Sequence, residues 1–296
     1  MKDAKNQTKK HPVSPSAVTR IVIWSVTLCI LSGLLAWGLS REGGGIINLG
    51  GYWYDDAGFS VGNGRSSERI SDISIDWLAG DVTVLPAEGD EIVITEDYDG
   101  EDALRLRWRV KNGELTVKYS KPKRFGTVKA STKNLTVAIP AAMLEAMGEV
   151  EIDAVDGNVF YTGNADELDL DTVDVDLTVT GDIGELNMDA VDAQVTFKGA
   201  VRHADIDGVD TDVTMHLDMA KELDLDQVRG SVQLFLSEEI TGFSAEIEAI
   251  SGDIDVDGYD GVSYGEAKSA RWGDGSLRIQ VDGVSCQLKI EKSTKD

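Results

Sequence analysis

The sequence predicts an all-β protein, a β-solenoid of stacked coils of about 18 residues behind one N-terminal transmembrane helix. Three observations predict it. The chain repeats itself at a nearly fixed period, apolar residues recur at a spacing of two within each repeat, and one uncharged apolar run lies close to the N-terminus.

The repeat starts at Val150 with VEIDAVDGNVFYTGNADE and continues as LDLDTVDVDLTVTGDIGE from Leu168 and LNMDAVDAQVTFKGAVRH from Leu186. A fourth copy, ADIDGVDTDVTMHLDMAKE from Ala204, carries one extra residue; LDLDQVRGSVQLFL from Leu223 and AEIEAISGDIDV from Ala245 follow. Aligned copies place apolar residues in columns. One is Ile152, Leu170, Met188, Ile206, Leu225 and Ile247; a second is Val155, Val173, Val191, Val209, Val228 and Ile250; a third is Val159, Leu177, Val195, Val213, Val232 and Ile254. All three columns are expected to face a core. Spacing of two with many β-branched residues is the strand signature, and Gly, Asn or Asp mark the bends. The bend glycine survives as Gly80, Gly157, Gly230 and Gly252 but is replaced at Val175, Ala193 and Thr211, so those bends must be built differently.

Stacking gives the repeat its reason. A single coil cannot bury its inward face, whereas coils about 4.8 Å apart bury it against one another and pair their backbones. Each buried Val, Leu or Ile is worth roughly 1.5–3 kcal/mol. The stretch ISIDWLAGDVTV places Ile73, Ile75, Leu78, Val82 and Val84 on the same template, so the solenoid is expected over residues 70–292. EIVITEDY, LRLRWRVKNGELTVKY and NLTVAIP read as longer strands between these copies, and AAMLEAMG after Pro140 as a short helical turn. SLRIQVDGVSCQLKIEK reads as a degenerate coil closing the C-terminal end and blocking edge-to-edge polymerisation.

Residues 21–39, IVIWSVTLCILSGLLAWGL, span roughly 28 Å as a helix, about the bilayer hydrocarbon thickness. Lys2, Lys5, Lys9, Lys10 and Arg20 precede it against Asp3 alone, so residues 1–20 are expected in the cytoplasm, 21–40 in the membrane and the remainder outside. A cleaved signal peptide is the alternative, with Ala36 and Gly38 near a cut; the run exceeds the usual 7–15 apolar residues of such a peptide. Leu28 before Cys29 does not suit a lipoprotein signal, and Cys29 and Cys286 lie too far apart in this topology to pair. Residues 41–69, rich in Gly and aromatics, read as a flexible stalk. Its Tyr52-Trp53-Tyr54 cluster either contacts sugars or headgroups or covers the first coil.

The run NLTVAIPAAMLEAMGEVEIDAVDGNVFYTG, followed by VDVDLTV and ISGDIDV, resembles the bacterial putative-adhesin family of β-strand-repeat envelope proteins, a domain family of unknown function. Its members are similar in carrying an LTVxxP strand before strings of such coils, often behind one membrane anchor, and one belongs to the Lia cell-envelope-stress system. The resemblance covers roughly residues 70–292. It implies the fold and an envelope location, and supplies no catalytic residues.

Charge narrows the function. With 53 acidic against 28 basic residues and a net charge of -25, a general nucleic-acid-binding face is excluded. Acidic residues fall into columns: Asp153, Asp171, Asp189, Asp207, Asp226 and Glu248 at one outward position, and Asp156, Asp174, Asp192 and Asp210 at another. Adjacent carboxylates repel by only about 0.9 kcal/mol at 4.8 Å in water, so the ladders can serve solubility and register alone. Their other reading is a divalent-cation site, since calcium wants several carboxylate oxygens; this makes Ca2+ the one cofactor candidate. Asp253, Asp255, Asp257 and Gly258 mimic the start of an EF-hand loop, but position twelve is Tyr264.

His203 and His216 have no neighbouring nucleophile, and every coil offers the same carboxylate pair, so no catalytic set is singled out. Residues 101–135 reverse the charge, with Arg105, Arg107, Arg109, Lys121, Lys123 and Arg124 among their bases. In LRLRWRV the basic residues alternate with apolar ones, so one outward basic face is expected, either meeting anionic lipid or envelope polymer or balancing the acidic coils. The function expected is a membrane-anchored, extracytoplasmic, non-enzymatic interaction, adhesion or envelope-stress module. The alternatives are a divalent-cation-dependent glycan-binding protein and a β-helical polysaccharide-active enzyme.

Overall fold

A computed structural model describes residues 52–123, 131–265 and 268–293. The expected cytoplasmic segment, the apolar run 21–40, residues 41–51 of the stalk and Arg124 lie outside these. Among the described residues no helix is long and apolar enough to cross a membrane. Two compact units divide the chain, Met1–Trp53 with Lys123–Thr127, and Tyr54–Pro122 with Val128–Asp296. In the first, only Tyr52, Trp53 and Lys123 are described, and the Lys123 amide donates to the Tyr52 carbonyl at 2.6 Å. Apart from Lys123, everything below concerns the second.

This unit is almost entirely β. Two short strands, β1 (Ser60–Val61) and β2 (Gly64–Ser66), lead into β3 (Asp72–Trp77), β4 (Val82–Ala87) and β5 (Ile92–Glu96). A 3-10 turn at Asp102–Leu104 precedes the hairpin of β6 (Arg107–Lys111) and β7 (Glu114–Lys118). Asn112 and Gly113, both with positive φ, close that hairpin, as two-residue turns require. Next come β8 (Leu135–Pro140) and the one-turn helix α1 (Ala141–Leu144), which bears out the helical turn read after Pro140. The coils proper are β9 (Met147–Thr162), β10 (Ala165–Thr180), β11 (Ile183–Met219, two coils long), β12 (Glu222–Leu236), β13 (Gly242–Asp257) and β16 (Leu277–Lys292), with β14 (Ser263–Gly265) and β15 (Ser269–Gly273) between the last two.

The coils stack in parallel with the register of the repeat: Leu170 lies between Ile152 and Met188, and Leu177 between Val159 and Val195. The first coil is β3 plus β4, whose Ile73, Ile75, Val82 and Val84 align with Val150, Ile152, Val159 and Tyr161 as the spacing predicts.

Three features depart from the sequence reading. Residues 60–61 and 64–66, expected in a stalk, are strands paired with β6 and β5. The Val155 column does not enter the core: Ile250 is 84% exposed and Val155, Val173, Val191 and Val209 stand half-exposed at an outer corner. The chain turns there, so the inward positions on either side are taken by Ala154, Thr172 and Ala190 before the corner and by Val175, Ala193 and Thr211 after it. The three residues that replace the bend glycine are therefore core residues. Where glycine remains it is required: Gly157 has φ +139°, and a Cβ there would sit 2.4 Å from the Gly80 carbonyl oxygen.

The third departure is topological. The C-terminal strand does not close the stack; β16 inserts between β12 and β13, parallel to both. Leu277, Ile279, Val281, Cys286, Leu288 and Ile290 are buried by coils on each side, which makes this degenerate copy a central one. Gly283 permits the fit, because a Cβ there would lie 1.8 Å from the Gln227 carbonyl oxygen. The C-terminal end is instead formed by β13, covered over Gly242–Glu246 by antiparallel β15, and capped by Tyr259 and Trp272 against buried Phe243.

Candidate functional site

The outer face of the first strand in each coil carries the densest chemistry. Because the pleat alternates, the residues between Val150, Ile152 and Ala154 all point outward, and stacking turns each such position into a ladder. One ladder runs Glu149, Glu167, Glu185, then His203 and Glu222; the next runs Glu151, Asp169, Asn187, then Asp205 and Asp224. The third is the predicted column. It is longer than the sequence reading had it, since Asp76 adjoins Asp153 and Asp282 lies between Asp226 and Glu248. Asp76 and Asp282 occupy the same repeat position in coils that the sequence shows less regularly. From β9 to β12 only Asn187 and His203 interrupt these ladders, whereas in the β16 coil Arg278 and Gln280 take the first two positions.

Part of this wall is recessed into a groove of about 350 Å3, lined by Glu151, Asp153, Asp169, Asp171, Asp189, Asp205 and Asp207 over Leu170 and Met188. Its electrostatics follow from crowding. Burial first, then Asp76, Glu151 and Asp171, push the Asp153 carboxyl up to about 7. Burial, then Asp207 and Asp282, do the same to Asp226, again to about 7, and burial with Asp205 and Asp189 raises Asp207 to about 6. Asp171, Asp189, Asp205 and Asp224 are shifted upward too, each mainly by burial. The wall is thus a field of carboxylates part of which binds protons at neutral pH.

The second predicted column, Asp156, Asp174, Asp192 and Asp210, lies at the outer corner beside the exposed valines. It ends in a cation, as Arg229 pairs with Asp210 at 3.1 Å. No three carboxylate, imidazole or thiol groups among the described residues are placed to hold a metal ion. The EF-hand-like Asp253, Asp255 and Asp257 lie on extended β13 rather than in a loop.

The basic segment is divided rather than aligned. Arg105 and Arg109 stay half-exposed and Lys121 and Lys123 exposed, but Arg107 is only 4% exposed. The alternation fails because β6 begins only at Arg107, so Arg105 and Leu106 lie in the link from the 3-10 turn rather than on the strand. The Arg107 guanidinium folds back onto that turn, donating to the Asp102 carbonyl at 2.9 Å and pairing with the Asp102 carboxylate at 3.2 Å. Arg109 stacks over the Phe59 ring at 4.5 Å. Lys133, read only as part of the positive segment, is buried: its ammonium donates to Glu96 at 2.6 Å and to the Leu104 and Tyr119 carbonyls, against the rings of Trp77 and Tyr119. Burial lowers its pKa. This base secures the first coils.

A family model described as Toastrack DUF4097 matches residues 70–293, about three quarters of the chain. The chain belongs to the Toastrack DUF4097 family. Solved structures similar to it include a putative adhesin from Parabacteroides merdae ATCC 43184, with 12% identity over 79% of this chain and 97% of that one and a TM-score of 0.40. A putative adhesin from Parabacteroides distasonis ATCC 8503 has 11% identity, 79% and 97% coverage and a TM-score of 0.39. For a putative cell adhesion protein from Clostridium sporogenes ATCC 15579 the values are 10%, 79%, 100% and 0.34. Among curated proteins none matches the Toastrack chain significantly.

Proposed function

We propose that this Toastrack protein is a membrane-anchored, extracytoplasmic interaction module of adhesion type, without enzymatic activity, whose acidic wall receives a cationic partner in the cell envelope. The observation that carries the reading is the wall itself: three adjacent carboxylate ladders repeated coil after coil over a shallow groove. A surface that offers the same groups at every step suits an extended partner, whereas catalysis needs one distinctive acid and base. Such a field attracts cations from a distance and weakens with salt. Support for the anchor, and for a solenoid outside the cytoplasmic membrane, comes from the charge-free run 21–39 and its basic N-terminal flank.

The test uses the full-length chain and a decalysine peptide. Calorimetry is expected to show binding that falls steeply as salt rises, and that weakens at least tenfold when Asp153, Asp171, Asp189 and Asp207 are all replaced by Asn. Equal affinity in that variant would remove the wall from the function. Protease added to intact cells is expected to digest the chain beyond Arg41; full protection would overturn the topology.

A further inference from the structure

The two ends of the stack are finished differently. At the N-terminal end the outermost parallel strands are β7 and β8, and each carries an antiparallel strand on its outer edge, β6 on β7 and β5 on β8. At the C-terminal end both outermost parallel strands belong to β13, and only its first half is covered, by β15 over Gly242–Glu246. That cover stops where the Ile247 amide donates to the Lys268 carbonyl at 3.1 Å and the Lys268 ammonium to the Ala249 carbonyl, also at 3.1 Å. Along Gly252–Asp257 the inner edge pairs with β16, and no described residue hydrogen-bonds to the outer one. The apolar side chains there are short of burial. Ile254 and Val256 are half-exposed, whereas Leu288 and Ile290, their partners one coil in, are 1% and 0% exposed. Nearby Ile250 is 84% exposed, and the exposed Asp253, Asp255 and Asp257 alternate with Ile254 and Val256.

We infer that the open edge of β13 over Gly252–Asp257 receives an antiparallel strand of another protein, one in which apolar residues alternate with lysine or arginine. A row of unpaired backbone N–H and C=O groups is matched in register only by another extended backbone. The covered ends show what such a strand brings. Ile94 of β5 stands opposite Val137, Trp108 of β6 opposite Val117, and Ala270 of β15 opposite Ala245, each an apolar residue set against a buried one. The matching residues of the partner cover Ile254 and Val256. Those between them face Asp253, Asp255 and Asp257, where cations are favoured. The same carboxylates disfavour a second copy of this chain as the occupant, since pairing two such edges sets one acidic row against another. The edge lies on the second strand of its coil, apart from the acidic wall, and the inference does not rest on the function proposed for that wall.

Calorimetry on the full-length chain with the heptapeptide KIKVKIK tests this. Binding is expected, with amide hydrogen exchange slowed within residues 252–257. The same peptide with every backbone amide N-methylated keeps its charge and side chains but cannot pair as a strand, and is expected to bind at least tenfold more weakly. Val256→Lys turns a charge inward at the edge and should weaken binding of the unmodified peptide at least tenfold. Because Val256 is half-exposed in the end coil, that variant is expected to keep the circular dichroism of the parent chain. If it does not, the N-methylated peptide decides the matter on the parent chain. The difference between the two peptides should persist in the Asn variant of the acidic wall, which keeps failure of this inference distinct from failure of the wall. Absence of binding, equal affinity for the N-methylated peptide, or parental affinity in a folded Val256→Lys would overturn the inference. So would dimerisation of the full-length chain that Val256→Lys abolishes, which would make a second copy the occupant.

Discussion

Replacing Lys133 by Met tests how the first coils are held. The side chain is 1% exposed and its partner carboxylate on Glu96 fully buried, so the substitution leaves a buried charge without its cation. Breaking such a pair on one side costs about 3–5 kcal/mol. The Leu104 and Tyr119 carbonyls lose their donor at the same time. Glu96 keeps the Leu106 amide at 2.9 Å and a distant Arg105 at 3.9 Å, which argues for the lower half of that range. With a urea dependence of about 3 kcal/mol per molar, a loss of about 3 kcal/mol lowers the unfolding midpoint by about 1 M. Trp77, whose ring lies 4.9 Å from the ammonium, reports the transition by fluorescence. Adding Glu96→Leu should recover about half of the loss, because the buried charge is gone while the two carbonyls stay unpaired. A single variant that costs less than about 1 kcal/mol, or a double variant no better than the single, would refute the reasoning.

The raised carboxyl groups make stability depend on pH in an uncommon direction. Asp153 and Asp226 near 7 and Asp207 near 6, against 3.8 when unfolded, bind protons more tightly folded than unfolded, so stability falls as pH rises from about 4 through 7. All three are about half-exposed, and after solvent screening each contributes about 1 kcal/mol, so the melting temperature should be about 5 °C or more higher at pH 5 than at pH 8. A flat or rising profile would contradict the crowding of the wall. Gly157→Ala forces a side chain into a left-handed backbone against the Gly80 carbonyl and should cost about 2 kcal/mol or more, whereas Val175→Ala, at the matching place one coil on, should cost only what a small cavity costs; urea unfolding separates them. Calcium and magnesium at equal ionic strength are expected to raise the melting temperature equally, as charge screening alone requires. A calcium-selective rise would show that the columns coordinate the ion.

The outer faces gain their chemistry from alternation. One strand of each coil turns carboxylates outward and the other turns hydroxyls and rings, and because copies stack in register each choice is multiplied into a ladder. The fold thus converts a one-dimensional repeat into two chemically distinct surfaces, and a substitution in one copy changes one rung only.

Residue identity at fixed spacing was enough to determine the strands, the coil period, the register from Ile73 to Leu225 and the predicted acidic column, because a period of two and a period of about 18 are local properties that any copy displays. Three things were decided only in three dimensions. The corner rotates Val155 and its equivalents outward and draws Val175, Ala193 and Thr211 inward, since backbone direction at a bend depends on packing rather than on hydrophobicity. The place of β16 depends on which neighbouring edge is free when the chain returns, a long-range pairing that the order of the repeats does not encode. Lys133 and Arg107 carry the same charge as their exposed neighbours, and only the positions of Glu96, Asp102 and the surrounding carbonyls and rings direct them inward, where each finds the hydrogen bonds that a buried cation needs.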